Sequence, residues 1–146
     1  MPTALITGAS AGLGRALATA LARRGWHLVI DARGAPRLDE TAQALRRDTT
    51  VDAVAGSVAD PAHRQRLLQA VHRSGGLDLL VHNASKLGGS PQPRLRDLDP
   101  DTFAAVLATN VAAPLALTQT LLDILEASGG RVVFISSDAA VEHYAG

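Results

Sequence analysis

The sequence predicts an α/β fold in which helices cover both faces of a parallel sheet. Short apolar runs alternate with longer segments of helical period, which is typical of β-α-β units. The runs occupy residues 4–6, 28–30, 51–54, 77–81 and 132–135. Because successive β-α-β units cross over in the right-handed sense, about five strands are expected in one doubly wound sheet.

The helical segments have recognisable ends. Leucines at 13, 17 and 21 precede Arg23-Arg24-Gly25, where cations and a glycine favour a helix C-terminus, and a second helix is predicted over 36–47. The third and fourth open at Asp60-Pro61 and Asp99-Pro100, a cap residue followed by proline at the first helical position. The third closes at Gly75-Gly76 and the fourth near residue 127. The fourth carries an apolar stripe through Phe103, Val106, Leu107, Leu117, Leu121, Leu122 and Leu125. These elements predict a Rossmann-type architecture.

The composition indicates that residues 1–146 form one domain and excludes several classes of binding partner. The chain has 47% hydrophobic residues, a formal net charge of +0 and no cysteine. We therefore expect no nucleic-acid partner, no thiolate metal site and a cytoplasmic location. No signal-type segment and no uninterrupted run of ~20 apolar residues is present, so no membrane partner is expected. The histidines show no metal-binding spacing, so no metal is expected.

The first turn after a predicted strand is rich in glycine and reads Thr7-Gly8-Ala9-Ser10-Ala11-Gly12-Leu13-Gly14. Glycines there allow a tight reversal and let backbone N–H groups approach a pyrophosphate at the helix N-terminus. Candidate cofactor contacts are therefore Gly8, Ser10, Gly12, Leu13 and Gly14. Gly8 to Gly12 also match the Gly-x-Ser-x-Gly motif of the nucleophile elbow. A serine hydrolase that uses Ser10 is therefore a remote alternative.

The Thr-Gly-x-x-x-Gly-x-Gly spacing resembles that of the short-chain dehydrogenase/reductase family, and the resemblance extends along the whole chain. Asn83-Ala84 after the fourth strand is similar to the Asn-Asn-Ala-Gly signature of that family, with His82 and Ser85 at the flanking positions. The resemblance implies that Asn83, Ala84 and Ser85 border the cofactor.

Cofactor preference is expected to depend on the end of the second strand, Asp31-Ala32-Arg33. An acid there binds the ribose hydroxyls of NAD, whereas an arginine accommodates the 2′-phosphate of NADP. On the family pattern the acid would fall at Ala32, and Arg33 matches the NADP-selecting arginine. NADP is therefore favoured, and NAD stays open because of Asp31. Ser57 and Val58 resemble the adenine wall of the family.

Two residues have catalytic roles by resemblance. Asn110 continues the stripe of the fourth helix, so we expect it to face the sheet with a buried partner, and Pro114 removes the helical donor of its carbonyl. The matching asparagine of the family holds a water in a proton relay. Ser137, at the end of the fifth strand, matches the serine that hydrogen-bonds the substrate oxygen.

The family also uses a tyrosine and a lysine four residues later, for hydride transfer with carbonyl or alcohol substrates. Tyr144 and Lys86 do not have that spacing, and Tyr144 follows Ser137 too closely. We expect the N-terminal part of a longer single-domain enzyme, homo-oligomeric at full length, with residues 1–146 inactive by themselves. A noncatalytic nucleotide-binding module is the alternative.

Overall fold

Five parallel strands form the sheet in the computed structural model, which describes residues 1–142. They are β1 (Thr3–Ile6), β2 (His27–Ala32), β3 (Val51–Ala55), β4 (Leu79–His82) and β5 (Arg131–Phe134). Their order is β3-β2-β1-β4-β5, and every neighbouring pair is parallel. The predicted doubly wound α/β fold is confirmed. The chain reverses its direction of travel across the sheet between β1 and β4, and such a switch point opens a crevice at the carboxyl ends of the strands.

Five α-helices connect the strands of the described chain: α1 (Gly12–Ala22), α2 (Ala35–Leu45), α3 (Pro61–Ser74), α4 (Pro100–Leu107) and α5 (Ala113–Ser128). The predicted caps form. Asp60 accepts from the Ala62 backbone N–H, and Asp99 accepts from Thr102, whose two hydrogen bonds lower the pKa of the Asp99 carboxyl. Gly75 closes α3 in the left-handed conformation at φ +85°.

Alternate side chains of each central strand enter two separate cores. Ala4 and Ile6 of β1 join residues of α1 and α2 on one face, whereas Leu5 packs with residues of α3 and α5 on the other. In β2, Leu28 and Ile30 face the first core and Val29 faces the second. Burial on both faces explains why these strands are continuously apolar in sequence.

The fourth predicted helix is interrupted, and this corrects the predicted stripe. A π-helical turn, Ala108–Ala112, joins α4 to α5 just before Pro114, which has no N–H to continue an α-helical ladder. The extra residue rotates the two halves relative to each other. The leucines at 117, 121 and 125 are buried, but Phe103, Leu107 and Leu122 are exposed.

The helical stretch from Pro100 to Ser128 is also long and apolar enough to cross a membrane by length and composition. Polar residues such as Asn110 and Gln119 interrupt this stretch, so it is not an uninterrupted apolar run, and the expectation of no membrane partner stays a prediction. In the fold, Leu117, Leu121 and Leu125 of this stretch belong to the core beside the sheet.

β5 is an edge strand in the described part of the chain. Its pairing with β4 leaves its other side open, and Val133, Phe134 and the following Ile135 are exposed. Residues 83–99, between β4 and α4, form a long loop whose regular structure is the short 3₁₀ turn Leu95–Asp97.

Candidate functional site

A cleft of about 700 Å³ lies at the carboxyl ends of β1, β2, β3 and β4. It is built from the turns that follow these strands, as expected at the switch point of a doubly wound sheet. Its lining residues are Gly8, Ser10, Ala11, Asp31, Ala32, Arg33, Gly34, Arg37, Gly56, Ser57, Val58, Asn83, Ala84, Ser85 and Thr109. Eight of the residues predicted from the sequence as cofactor contacts are among them: Gly8, Ser10, Arg33, Ser57, Val58, Asn83, Ala84 and Ser85.

The first turn has the conformation that its glycines were predicted to allow. Gly8 has φ +68° and Gly12 has φ +52°. A Cβ on Gly8 would lie 2.9 Å from the Ala84 Cα, and a Cβ on Gly14 would lie 2.5 Å from both the Asn83 Nδ2 and the Gly8 carbonyl oxygen. The turn therefore packs directly on the residues after β4. Gly12 opens α1, whose free N–H groups at the N-terminus can bind an anion.

Asn83 and Thr7 tie the end of β4 to this turn. The Asn83 side-chain amide donates to the carbonyls of Thr7 (2.9 Å) and Gly8 (3.2 Å). The Thr7 hydroxyl donates to the Val81 carbonyl and accepts from the backbone N–H groups of Asn83 and Ala84, both at 3.0 Å. Asn83 is thus a scaffold of the turn as well as a lining residue. This role of Thr7 was not predicted from the sequence.

Asp31, the residue that kept NAD as an alternative cofactor, is buried, and its side chain forms hydrogen bonds within the protein. Its side chain is 2% exposed, with Oδ1 accepting from the Gly8 backbone N–H and Oδ2 bonded to the His63 Nε2, both at 2.8 Å. Burial raises the pKa of the Asp31 carboxyl, and the hydrogen bonds from His63 and Gly8 oppose this shift in part. Because both carboxylate oxygens form hydrogen bonds inside the protein, Asp31 supports the glycine-rich turn from its buried side.

Two arginines lie at the side of the cleft formed after β2. Arg33 and Arg37 are exposed, and both line the cleft. Arg37 was not predicted. A signal was available, since it follows Arg33 by four residues and Pro36 predicts a helix start between them, which places both side chains near one strand end.

Ser57 and Val58 line the cleft after β3, the strand next to β2. The Ser57 hydroxyl accepts from the Ala59 backbone N–H at 3.3 Å, and Val58 is buried. Asp60 caps α3 and does not line the cleft, in agreement with its interpretation as a helix cap.

Asn110 contradicts its prediction. Its side chain is exposed, and it donates to the Lys86 carbonyl (2.9 Å) and accepts from the Lys86 backbone N–H (2.8 Å). The π-helical turn is the physical reason, because it moves Asn110 off the line of the α5 leucines. Ala113, which is buried, and Thr109, which lines the cleft, take the inward positions.

Ser137 also lies outside the cleft in the described chain. It is exposed and caps the 3₁₀ turn Asp138–Ala140, where its hydroxyl donates to the Asp138 carboxylate (3.0 Å) and accepts from the Ala139 N–H (3.2 Å). Gly12, Leu13 and Gly14 do not line the cleft. Tyr144 falls outside the described residues.

The histidines within residues 1–142 have structural or surface positions. His82 is buried, contacts the Thr118 hydroxyl at 2.8 Å and stacks on Phe134 with ring centroids 4.7 Å apart. Burial lowers the pKa of His82 to about 4. In the described chain, no hydrogen bond joins Ser10 to a histidine, and no group of three or more acidic, histidine or cysteine side chains is placed to hold a metal.

Known proteins are similar to this chain in sequence and in fold. The model of the short chain dehydrogenase family matches residues 2–146. Sepiapterin reductase from Chlorobaculum tepidum is 33% identical over 150 residues, which cover 96% of this chain and 60% of that protein.

Two solved structures superpose on nearly the whole chain. L-sorbose reductase from Gluconobacter frateurii, in complex with NADPH and L-sorbose, has a TM-score of 0.89 at 33% identity and covers 96% of this chain and 54% of its own. An alcohol dehydrogenase from Thermococcus sibiricus, in complex with 5-hydroxy-NADP, has a TM-score of 0.86 at 28% identity. The match covers 99% of this chain and 61% of that protein's chain.

The chain spans between 50% and 60% of the length of such curated relatives. The match nevertheless covers all five strands and the glycine-rich turn. This chain belongs to the short chain dehydrogenase family.

Proposed function

We propose that the full-length protein is an oxidoreductase that transfers hydride between NADP(H) and a small carbonyl or alcohol substrate, and that this chain supplies the cofactor cleft. The observation that carries the proposal is the glycine turn over the N-terminus of α1, fixed to β4 by Asn83 and open to the cleft. A pyrophosphate there would meet free backbone N–H groups and the positive end of the helix dipole.

Charges in the cleft support NADP over NAD. The Asp31 carboxylate, which could bind ribose hydroxyls, already accepts from Gly8 and His63. Arg33 and Arg37 line the same side of the cleft and are exposed. Two guanidinium groups beside one strand end suit the dianionic 2′-phosphate, which arginine binds through paired hydrogen bonds. We therefore assign Arg33 and Arg37 to the 2′-phosphate.

The remaining cleft residues would hold the rest of the cofactor. Ser57 and Val58 would contact the adenine, and Asn83, Ala84 and Ser85 would border the nicotinamide half. The bound cofactor supplies the hydride, and the protein must orient it and deliver a proton to the substrate oxygen. Ser137 is proposed to donate a hydrogen bond to that oxygen. Asn110 is proposed to hold a water through its backbone carbonyl, while its side chain binds the Lys86 backbone and so fixes the start of the loop over residues 83–99.

Homo-oligomerisation of the full-length enzyme is also part of the proposal. Exposed apolar side chains of α4, the π-helical turn and α5 in the described chain include Phe103, Leu107, Val111 and Leu115. A shared face of this kind would be covered when two copies associate.

Turnover by the full-length protein tests the proposed function. Oxidation of NADPH and NADH is followed over a panel of ketones, aldehydes and quinones, beside Ser137→Ala and a Ser74→Ala control in α3. We expect turnover that is faster with NADPH and lost in Ser137→Ala only. Hydrolysis of ester substrates without nicotinamide oxidation, abolished by Ser10→Ala, would instead support the serine hydrolase.

A further inference from the structure

A buried acid and a buried histidine lie directly beneath the glycine-rich turn. Asp31 and His63 are 1% and 0% exposed, and the Asp31 Oδ2 is 2.8 Å from the His63 Nε2. Asp31 meets the turn at two points, since its Oδ1 accepts from the Gly8 N–H and its backbone carbonyl accepts from the Ala9 N–H, both at 2.8 Å. The first two amides of the phosphate-binding stretch after Thr7 are therefore fixed by one residue.

His63 extends this support to Gly56, which follows the neighbouring strand β3. Its ring packs so closely on Gly56 that a Cβ at that position would overlap it. The His63 Nδ1 lies 3.2 Å from the Arg66 guanidinium, which also donates to the Ala55 carbonyl at 3.4 Å. Because a guanidinium can only donate, Nδ1 accepts, and the Nε2 carries the proton that is donated to Asp31.

We propose that Asp31, held by His63, is a positioning residue for the cofactor pyrophosphate. The inference rests on the proposed dinucleotide binding and adds the residue pair that orients the turn. By taking the Gly8 and Ala9 N–H groups, Asp31 fixes the path of the backbone into Ser10, Ala11 and Gly12, so that the following amides and the N-terminus of α1 face the ligand. Preorganisation of this kind reduces the ordering cost of binding.

A matched pair of substitutions isolates the hydrogen bond to Gly8. Asp31→Asn and Asp31→Leu both remove the charge, have similar size and lose the acceptor for the His63 N–H, because the Asn amide nitrogen would replace Oδ2. Only asparagine keeps an acceptor for the Gly8 N–H. Calorimetry on the full-length protein measures two ligands, NADPH and adenosine 2′-monophosphate, which has no pyrophosphate. We expect Asp31→Leu to bind NADPH about tenfold more weakly than Asp31→Asn does, the scale of one lost hydrogen bond. Binding of adenosine 2′-monophosphate should be the same in both.

A second pair at His63 keeps the test decisive if Asp31→Leu does not fold. His63→Gln retains an N–H donor for Asp31, whereas His63→Met removes it, and only His63→Met should weaken NADPH binding selectively. His27→Met is the control, because His27 forms a similar pair with Asp52 at 2.9 Å but does not line the cleft. It should change neither affinity.

The outcomes separate the inference from the function on which it rests. Equal NADPH affinities within each pair, or parallel losses for both ligands, would show that Asp31 and His63 serve stability alone and would overturn the inference. Failure of the unaltered protein to bind NADPH or NADH would overturn the proposed function together with it.

Discussion

Gly14→Ala should destabilise the protein although alanine is the better helix former. Gly14 lies in the first turn of α1, where alanine in place of glycine contributes about 1 kcal/mol of helix stability. The new Cβ, however, would lie 2.5 Å from the Gly8 carbonyl oxygen and 2.5 Å from the Asn83 Nδ2. Neither atom can retreat freely, because the Asn83 amide is hydrogen-bonded to the carbonyls of Thr7 and Gly8.

The size of the effect follows from the two opposing contributions. Overpacking at a tight site costs about 1–3 kcal/mol, and two simultaneous overlaps with anchored groups favour the upper end. After subtraction of the helix-propensity gain, we expect a net loss of about 2 kcal/mol, or a fall in Tm of roughly 4–8 °C. NADPH affinity should fall as well, since the turn must move away from α1.

Thermal unfolding followed by circular dichroism measures this change, with Gly89→Ala as the matched control. Gly89 has no positive φ, and its nearest atom to a new Cβ is the Pro91 carbonyl oxygen at 4.0 Å, so the control should be close to neutral. A Gly14→Ala protein with unchanged or raised Tm and unaltered NADPH affinity would refute the close approach of α1 to the turn.

Three further predictions concern the cofactor, pH and the core. Arg33→Ala and Arg37→Ala should each weaken NADPH binding by roughly 1–3 kcal/mol and leave NADH binding unchanged; equal losses for both nucleotides in a calorimetric titration would contradict the assignment. Because the pKa of His82 is lowered from 6.5 to about 4 in the folded state, the unfolded chain takes up its proton first, so stability should fall as pH drops through this window. Denaturant unfolding of His82→Gln should lose part of that pH dependence, and an unchanged slope would speak against it. Leu121→Ala should cost about 2–5 kcal/mol in the same assay and Leu122→Ala much less, because Leu121 is 0% and Leu122 44% exposed; similar losses would contradict the observed orientation of α5.

Local patterns predicted the sheet and the helix ends well. The continuous apolar strands β1 and β2 are buried on both faces, and Asp60 and Asp99 cap their helices as expected. These features depend on residues close in sequence, so spacing and residue type suffice to predict them.

The fourth helix shows where such reasoning fails. An apolar stripe indicates one face of a helix, but Pro114 induces a π-helical turn, and the residues before that turn no longer align with those after it. Asn110 was therefore predicted to be buried and is exposed, while Thr109 lines the cleft. Pro114 indicated that the helix is irregular at this point, but the sequence did not indicate that the irregularity is a π-helical turn.

Long-range pairing was the other missing information. Asp31 looked like a possible ribose ligand because it lies one residue before the expected position. Its actual partner, His63, is 32 residues away in the sequence, where spacing alone predicts no contact. Only the packing of α3 against the sheet shows that both oxygens of Asp31 accept hydrogen bonds inside the protein, an observation that supports the proposed role of Arg33.

The most direct test of the account is a calorimetric titration of the full-length protein with NADPH and NADH side by side. Binding of NADPH that is clearly tighter than binding of NADH is the predicted result, because the cleft presents Arg33 and Arg37 while Asp31 is engaged with Gly8 and His63. Equal affinities, tighter binding of NADH, or no binding of either nucleotide would contradict it.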